Sequence, residues 1–100
     1  METNTYAYTF IASRVGEVFT AQISAMDISE ACLSWGKQFM ATFHHDDFDS
    51  ADFWEDLSFK VEEMPPVLVE NAVNFWCFSF VVLGSVMWVH IVKTAALDDN

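Results

Sequence analysis

The feature that most constrains the fold is a run of 21 residues, 72–92, with no formally charged side chain when its one histidine is neutral. A window of about 18 such residues is long enough to cross a membrane as a helix. The run is rich in Val, Phe and Trp, however, and Leu83, Gly84 and Ser85 lie near its middle, where a hairpin turn would fall. We therefore predict two apolar strands, about residues 72–82 and 86–93. A small membrane protein with a span at residues 72–92 is kept as an alternative.

Both of these predicted strands are apolar on both faces rather than on alternate residues. Strands of this kind are typical of sheets that are covered on each side. An amphipathic helix can cover one face. The other face then needs the aromatic residues of an acidic segment, a second sheet or another subunit.

The first half of the chain has the pattern of a hairpin followed by a helix. Residues 5–13 and 17–25 alternate between apolar and polar side chains around a turn at residues 14–17, which predicts two paired strands. Asp27 and Glu30 have the spacing of a capping box. Apolar residues then recur at steps of three and four, which predicts an amphipathic helix over residues 28–43.

A third strand is predicted at residues 57–62, where Leu57, Phe59 and Val61 alternate with polar residues. Pro65 and Pro66 would stop it, and residues 67–71 would form a connector. The predicted fold class is therefore α+β, as one domain covering residues 1–100. A single antiparallel sheet of about five strands, in the order ββα-βββ, packs on one main amphipathic helix, with a short acidic segment that is helical or a loop.

The charge balance restricts the classes of partner. Fifteen acidic residues against four basic ones give a formal net charge of −11. The bases, Arg14, Lys37, Lys60 and Lys93, are scattered, so no basic patch is available to bind phosphates and direct nucleic-acid binding is not expected. Such a surface attracts a cation, a basic peptide or a protein groove built to hold nucleic acid.

The cysteines and the first residues of the sequence indicate a compartment. Cys32 and Cys77 are 45 positions apart in apolar segments and form no CxxC pair, which is typical of reduced, buried thiols. The opening METNTYAYTF has neither a positive n-region nor an apolar h-region, so no signal peptide is expected. Both observations favour the cytoplasm.

Residues 44–56, HHDDFDSADFWED, are the most acidic stretch of the chain. His44, His45, Asp46 and Asp47 are ligand types that suit zinc or manganese. Neighbouring residues point in different directions on a strand or a helix, however, so a metal site would need a loop that folds back. No recognisable catalytic setting accompanies the Ser, His and Asp residues. We therefore expect no metal, no cofactor and no enzymatic activity.

If the acidic stretch is a helix that begins near Asp49 or Ser50, then Phe53, Trp54 and Leu57 face the body of the protein and the acids face solvent. One row of carboxylates spaced by a helical turn is too sparse to imitate duplex DNA, so a second row is needed. The simpler interpretation of the acidic stretch is a surface that keeps the protein soluble despite its many aromatic residues. The predicted partner-binding residues are Asp46, Asp47, Asp49, Asp52, Glu55, Asp56, Glu62, Glu63 and Glu70.

The TYAYTFIA and EVFTAQIS hairpin, the DISEACLSWGKQF helix and the acids from Asp46 to Asp56 together resemble the small acidic anti-CRISPR proteins encoded by phages. The resemblance implies a non-enzymatic, stoichiometric DNA mimic that acts in the host cytoplasm. It would dock on a CRISPR effector subunit and block its basic nucleic-acid-binding surface. The apolar final hairpin departs from the most acidic DNA mimics. It favours a homodimer or a mixed apolar and acidic interface. The alternative function is a homo-oligomeric phage or bacterial structural or assembly protein that buries residues 76–92 against itself.

Overall fold

The computed structural model describes residues 5–43 and 46–96. Within these residues the chain forms a two-stranded hairpin, two helices, a short strand and a second hairpin. The elements are β1 (Tyr6–Arg14), β2 (Glu17–Ala25), α1 (Ile28–Thr42), α2 (Ser50–Glu63), β3 (Val67–Leu68), β4 (Phe75–Val82) and β5 (Ser85–Ala96).

The five strands form one antiparallel sheet in the order β2-β1-β5-β4-β3. The last strand of the chain, β5, therefore lies between the two hairpins and pairs with β1 on one side and β4 on the other. This confirms the predicted α+β class and its single antiparallel sheet.

Both hairpins turn on two residues with positive φ. Val15 (φ 48°) and Gly16 (φ 82°) connect β1 to β2, and Leu83 (φ 53°) and Gly84 (φ 78°) connect β4 to β5. Positive φ at both central residues is the type I′ geometry, whose twist matches that of the paired strands. The apolar run 72–92 is thus divided between two strands, as predicted. None of the helices in the described part of the chain is long and apolar enough to cross a membrane.

The predicted capping box starts α1. The Glu30 amide donates to Asp27 Oδ1 at 2.8 Å, and the Met26 amide donates to Glu30 Oε1 at 2.8 Å. Trp35 and Phe39 are then buried on the face of α1 that meets the sheet, where Trp35 stacks on Phe10 with 5.4 Å between ring centroids. The helix ends one residue earlier than predicted.

The prediction for residues 57–71 is wrong in its placement of the third strand. Residues 57–62 belong to α2, which continues to Glu63 and is nearly as long as α1. The buried side chains of this helix are Phe53, Leu57 and Val61, spaced by four, whereas Phe59 is 55 % exposed. The third strand is instead Val67–Leu68, inside the segment predicted as a connector.

Both helices pack on the same face of the sheet. Phe39 of α1 contacts Phe19 of β2, with 5.3 Å between ring centroids, and Phe53 of α2 contacts Phe80 of β4 at 5.5 Å. The aromatic residues of the acidic segment therefore reinforce the face that α1 already covers. Within the described residues, no element covers the opposite face.

Candidate acidic interaction surface

The acidic segment is fixed to the core by its aromatic residues. Phe53 is 4 % exposed and stacks on Phe39, with 5.1 Å between ring centroids. Phe48 is half-buried and lies 5.5 Å from the Phe53 ring. Trp54 is half-buried beside α1, where Lys37 Nζ lies 5.9 Å from its ring centroid. Phe48, Phe53 and Trp54 thus anchor the segment, so α2 presents its acids from a fixed position.

Asp49 has a structural role as well as a charge. Its Oδ1 accepts hydrogen bonds from the amides of Ala51 (2.9 Å) and Asp52 (3.2 Å), which makes it the N-cap of α2. Replacing an N-cap aspartate by a residue that cannot cap costs about 1 kcal/mol. Asp49 is therefore a poor position for testing partner binding by charge reversal.

The predicted partner-binding acids are all exposed, and most of them share one helix. We call Asp49, Asp52, Glu55, Asp56, Glu62 and Glu63 the α2 acidic surface. At about 100° per residue, Asp49, Asp52, Asp56 and Glu63 fall within about 60° of one another, and Glu55 and Glu62 form a second row beside them.

The remaining predicted acids lie off the helix. Asp46 and Asp47 are in the turn that precedes α2. Glu70 is in the turn between β3 and β4.

The α2 acidic surface has a high linear charge density. Six carboxylates over fourteen residue steps, about 21 Å of helix axis, have a mean spacing of about 4.2 Å, compared with roughly 3.4 Å along one DNA strand. Residues 46–63 contain eight carboxylates and Lys60, a net charge of −7 out of −11 for the whole chain. The charge is therefore concentrated on this segment rather than spread over the molecule.

Glu62 and Glu63 occupy the last turn of α2, where a negative charge is unfavourable. The C-terminal end of a helix carries a partial negative charge, and an acid there costs about 0.3–1 kcal/mol. Lys60 is the only basic residue of this turn. The two glutamates thus interact unfavourably with the helix dipole. Their positions are therefore not explained by a contribution to folding stability.

A cavity of about 220 Å³ lies between α2 and the turn of the second hairpin. Asp49, Asp52 and Asp56 line one side of it, and Val82 and Leu83 line the other. A neighbouring cavity of about 410 Å³ shares Asp56 with it. An apolar floor beneath a carboxylate rim suits a lysine or arginine side chain, because its stem is apolar and its head is cationic.

The cavity wall formed by β4 and the hairpin turn was not predicted from the sequence. Its residues, Val81, Val82 and Leu83, are separated from α2 by about twenty positions. Arg14 holds this turn, since its Nε donates to the Val82 carbonyl at 2.7 Å and its Nη2 donates to the Leu83 carbonyl at 3.2 Å. The sequence carries no local signal for this long-range contact.

Metal ligands give no alternative site in the described part of the chain. No three of its His, Cys, Asp and Glu side chains are grouped closely enough to hold a metal ion. His44 and His45, the histidines of the considered metal cluster, lie outside the described residues. Cys32 is fully buried, and burial raises the pKa of its thiol to about 12, so it is a neutral core residue at physiological pH.

Comparison of this chain with protein-family models, curated proteins and solved structures finds no match.

Proposed function

We propose that this protein is a non-enzymatic, anti-CRISPR-like inhibitor whose α2 acidic surface occupies a basic, nucleic-acid-binding site on a CRISPR effector subunit. The protein would act in the cytoplasm of the host cell, as a stoichiometric competitor of DNA or RNA. The observation that carries the proposal is the single helix on which six carboxylates approach the linear charge density of one nucleic-acid strand.

The contacts of α2 support a role in rigid docking. Phe53 and Leu57 are buried at 4 % and 0 % exposure, so the helix cannot reorient without loss of core packing. A preorganised row of charges loses less conformational entropy on binding than a flexible acidic tail does. The cavity beside Asp52 and Asp56 adds a place for one cationic side chain of the partner.

The experiment measures the binding of a labelled nucleic acid to purified CRISPR effectors of different types, by fluorescence anisotropy, while the protein is titrated in. We expect the wild-type protein to displace the nucleic acid from one effector. The variant with both Asp52→Lys and Asp56→Lys should displace it at least about tenfold less well, because two attractive contacts become repulsive.

A matched control distinguishes the effect of where the charges lie from the effect of the total net charge. The variant with both Glu17→Lys and Asp99→Lys changes the net charge by the same amount at residues outside α2, and it should keep the wild-type competition. Failure of the wild-type protein to displace nucleic acid from any effector contradicts the proposal. Equal loss in the two variants contradicts the role of α2.

A homo-oligomeric phage or bacterial structural or assembly protein is the second candidate function. It is favoured by the apolar face of the sheet, which the described residues leave uncovered. An assembly protein forms rings or filaments, whereas an inhibitor acts as a monomer or a small closed oligomer. Light scattering of the purified chain therefore separates the two candidates.

A further inference from the structure

The face of the sheet opposite the helices is strongly apolar. Cross-strand partners lie on the same face, and the registers place Trp88 beside Ser13 and Ser79, with Ile11 beside His90 in the next row. We call this surface the open sheet face. Its exposed apolar residues are Ile11 (39 %), Val18 (64 %), Val67 (67 %), Val81 (55 %), Val86 (45 %) and Trp88 (54 %), and its half-buried ones are Phe75, Cys77 and Val92.

The open sheet face is electrically neutral in a chain of net charge −11. Its rows contain Thr, Ser, Gln and apolar residues with one histidine, His90, and no Asp, Glu, Lys or Arg. Most of the α2 acidic surface lies on the other side of the sheet, with the helices. At the β4 edge, Asp56 and Lys60 of α2 line a cavity together with Val81 and Val86 of the open sheet face. Two copies that approached through any acid-rich surface would repel each other, whereas the rows of this face contain no carboxylate, and Asp56 at its β4 edge lies with Lys60 around the same cavity.

The size of the open sheet face fits an interface between two copies. Four strands spaced by about 4.8 Å, each with about eight residues rising 3.3 Å, give a projected area of roughly 500 Å². Side chains make the accessible surface larger than the projection. The face is thus comparable to the roughly 600 Å² that each partner contributes at the lower end of specific interfaces.

We infer that two copies of this chain pack open sheet face to open sheet face, as a closed twofold dimer in a sheet-on-sheet arrangement. Trp88 projects between the small side chains of Ser13 and Ser79, so each copy offers both a large aromatic residue and the small residues against which one can pack. The inference rests on this face alone and does not depend on the proposed function of α2.

The test is sedimentation velocity of the full chain over a wide range of protein concentration. The wild-type protein is expected to reach the dimer mass. Trp88→Glu should raise the dissociation constant at least about tenfold, because a charge is buried at the centre of an apolar interface. Val73→Glu, at an 87 % exposed position before β4, adds the same charge outside the face and should leave the dimer intact.

A charge-exchange experiment covers the case in which Trp88→Glu fails to fold. Ser79→Glu and Ser79→Lys retain Trp88, and each variant alone is expected to dissociate, while an equal mixture of the two should form heterodimers. Circular dichroism verifies the fold of each variant. Recovery on mixing is not expected from a misfolded protein.

Thiol reactivity gives an independent readout because Cys77 lies on the open sheet face and Cys32 is in the core. Alkylation of Cys77 should slow as the wild-type concentration rises and should stay fast in Trp88→Glu. A wild-type chain that remains monomeric at every concentration overturns the inference. A dimer that survives both Trp88→Glu and the Ser79 substitutions overturns it as well, and so does a monomer that uses this face to bind phosphatidylcholine vesicles.

Discussion

At the scale of single residues, Val15 is the least favourable backbone position in the turns. It has a φ of 48° at the first central residue of the β1–β2 turn and is 71 % exposed, so little packing offsets the crowding of its branched side chain. Asn71 shows the residue type that tolerates this region, with a φ of 68°. The glycine at the second central position, Gly16, is already the one that a type I′ turn favours.

We therefore expect Val15→Asn to raise the free energy of unfolding by about 0.5–1 kcal/mol, as measured by urea denaturation. Val73→Asn is the control, because Val73 is exposed but is not in the left-handed region. That substitution should change stability by less than about 0.5 kcal/mol. Equal effects of the two substitutions would contradict the assignment of strain to Val15.

At the scale of elements, α1 and α2 approach each other at Gly36. A Cβ added at Gly36 would meet the Cδ2 atom of Leu57, which is fully buried, at less than contact distance. Replacing a helical glycine by alanine gains about 1 kcal/mol of helix propensity. Overpacking of a buried contact costs about 1–3 kcal/mol, so the packing cost should exceed the gain.

Gly36→Ala is accordingly expected to lower the melting temperature, despite the better helix former. In the background of Leu57→Ala, where the clashing methyl groups are gone, the same change should be neutral or stabilising. A double-mutant cycle by thermal denaturation measures this coupling. Additive effects would show that Gly36 and Leu57 do not limit the approach of the helices.

The elements also show what the sequence predicts and what it leaves ambiguous. The β1–β2 hairpin and α1 have one clear period each, and Asp27 and Gly16 mark their boundaries, so they are predicted to within one or two residues. Leu57, Phe59 and Val61 satisfy a period of two, but Leu57 and Val61 also continue a period of four from Phe53. The Asp49 cap and the burial of Phe53 favour the helix over the strand. The burial of Phe53 depends on tertiary contacts, so the local sequence pattern does not show it.

At the scale of the whole molecule, the sheet separates two surfaces of opposite character. The α2 acidic surface lies mainly on the helical side and the open sheet face, whose rows carry no charge, lies on the other, and the two meet only at the β4 edge, where Asp56 lies near Val81. A face-to-face dimer would therefore carry two acidic helices on its outer sides. The composition predicts both an excess of acid and an excess of apolar surface, but only the strand order and the common side of the helices determine their separation.

The central claim is that the position of the acids on α2 determines binding. The most direct measurement is the affinity for an effector from which the protein displaces nucleic acid, at increasing salt concentration, for wild type and for the variant with both Glu62→Lys and Glu63→Lys. Lysines in the last turn of α2 favour the helix dipole, so this variant should be more stable than wild type by about 0.3–1 kcal/mol. Any loss of binding then cannot come from unfolding.

We predict that wild-type affinity falls steeply with salt, as expected for contacts between exposed charges. The Glu62→Lys and Glu63→Lys variant should bind at least about tenfold more weakly and with a shallower salt dependence. The control with Glu17→Lys and Asp99→Lys should keep the wild-type slope. An unchanged affinity and slope in the α2 variant would contradict the account.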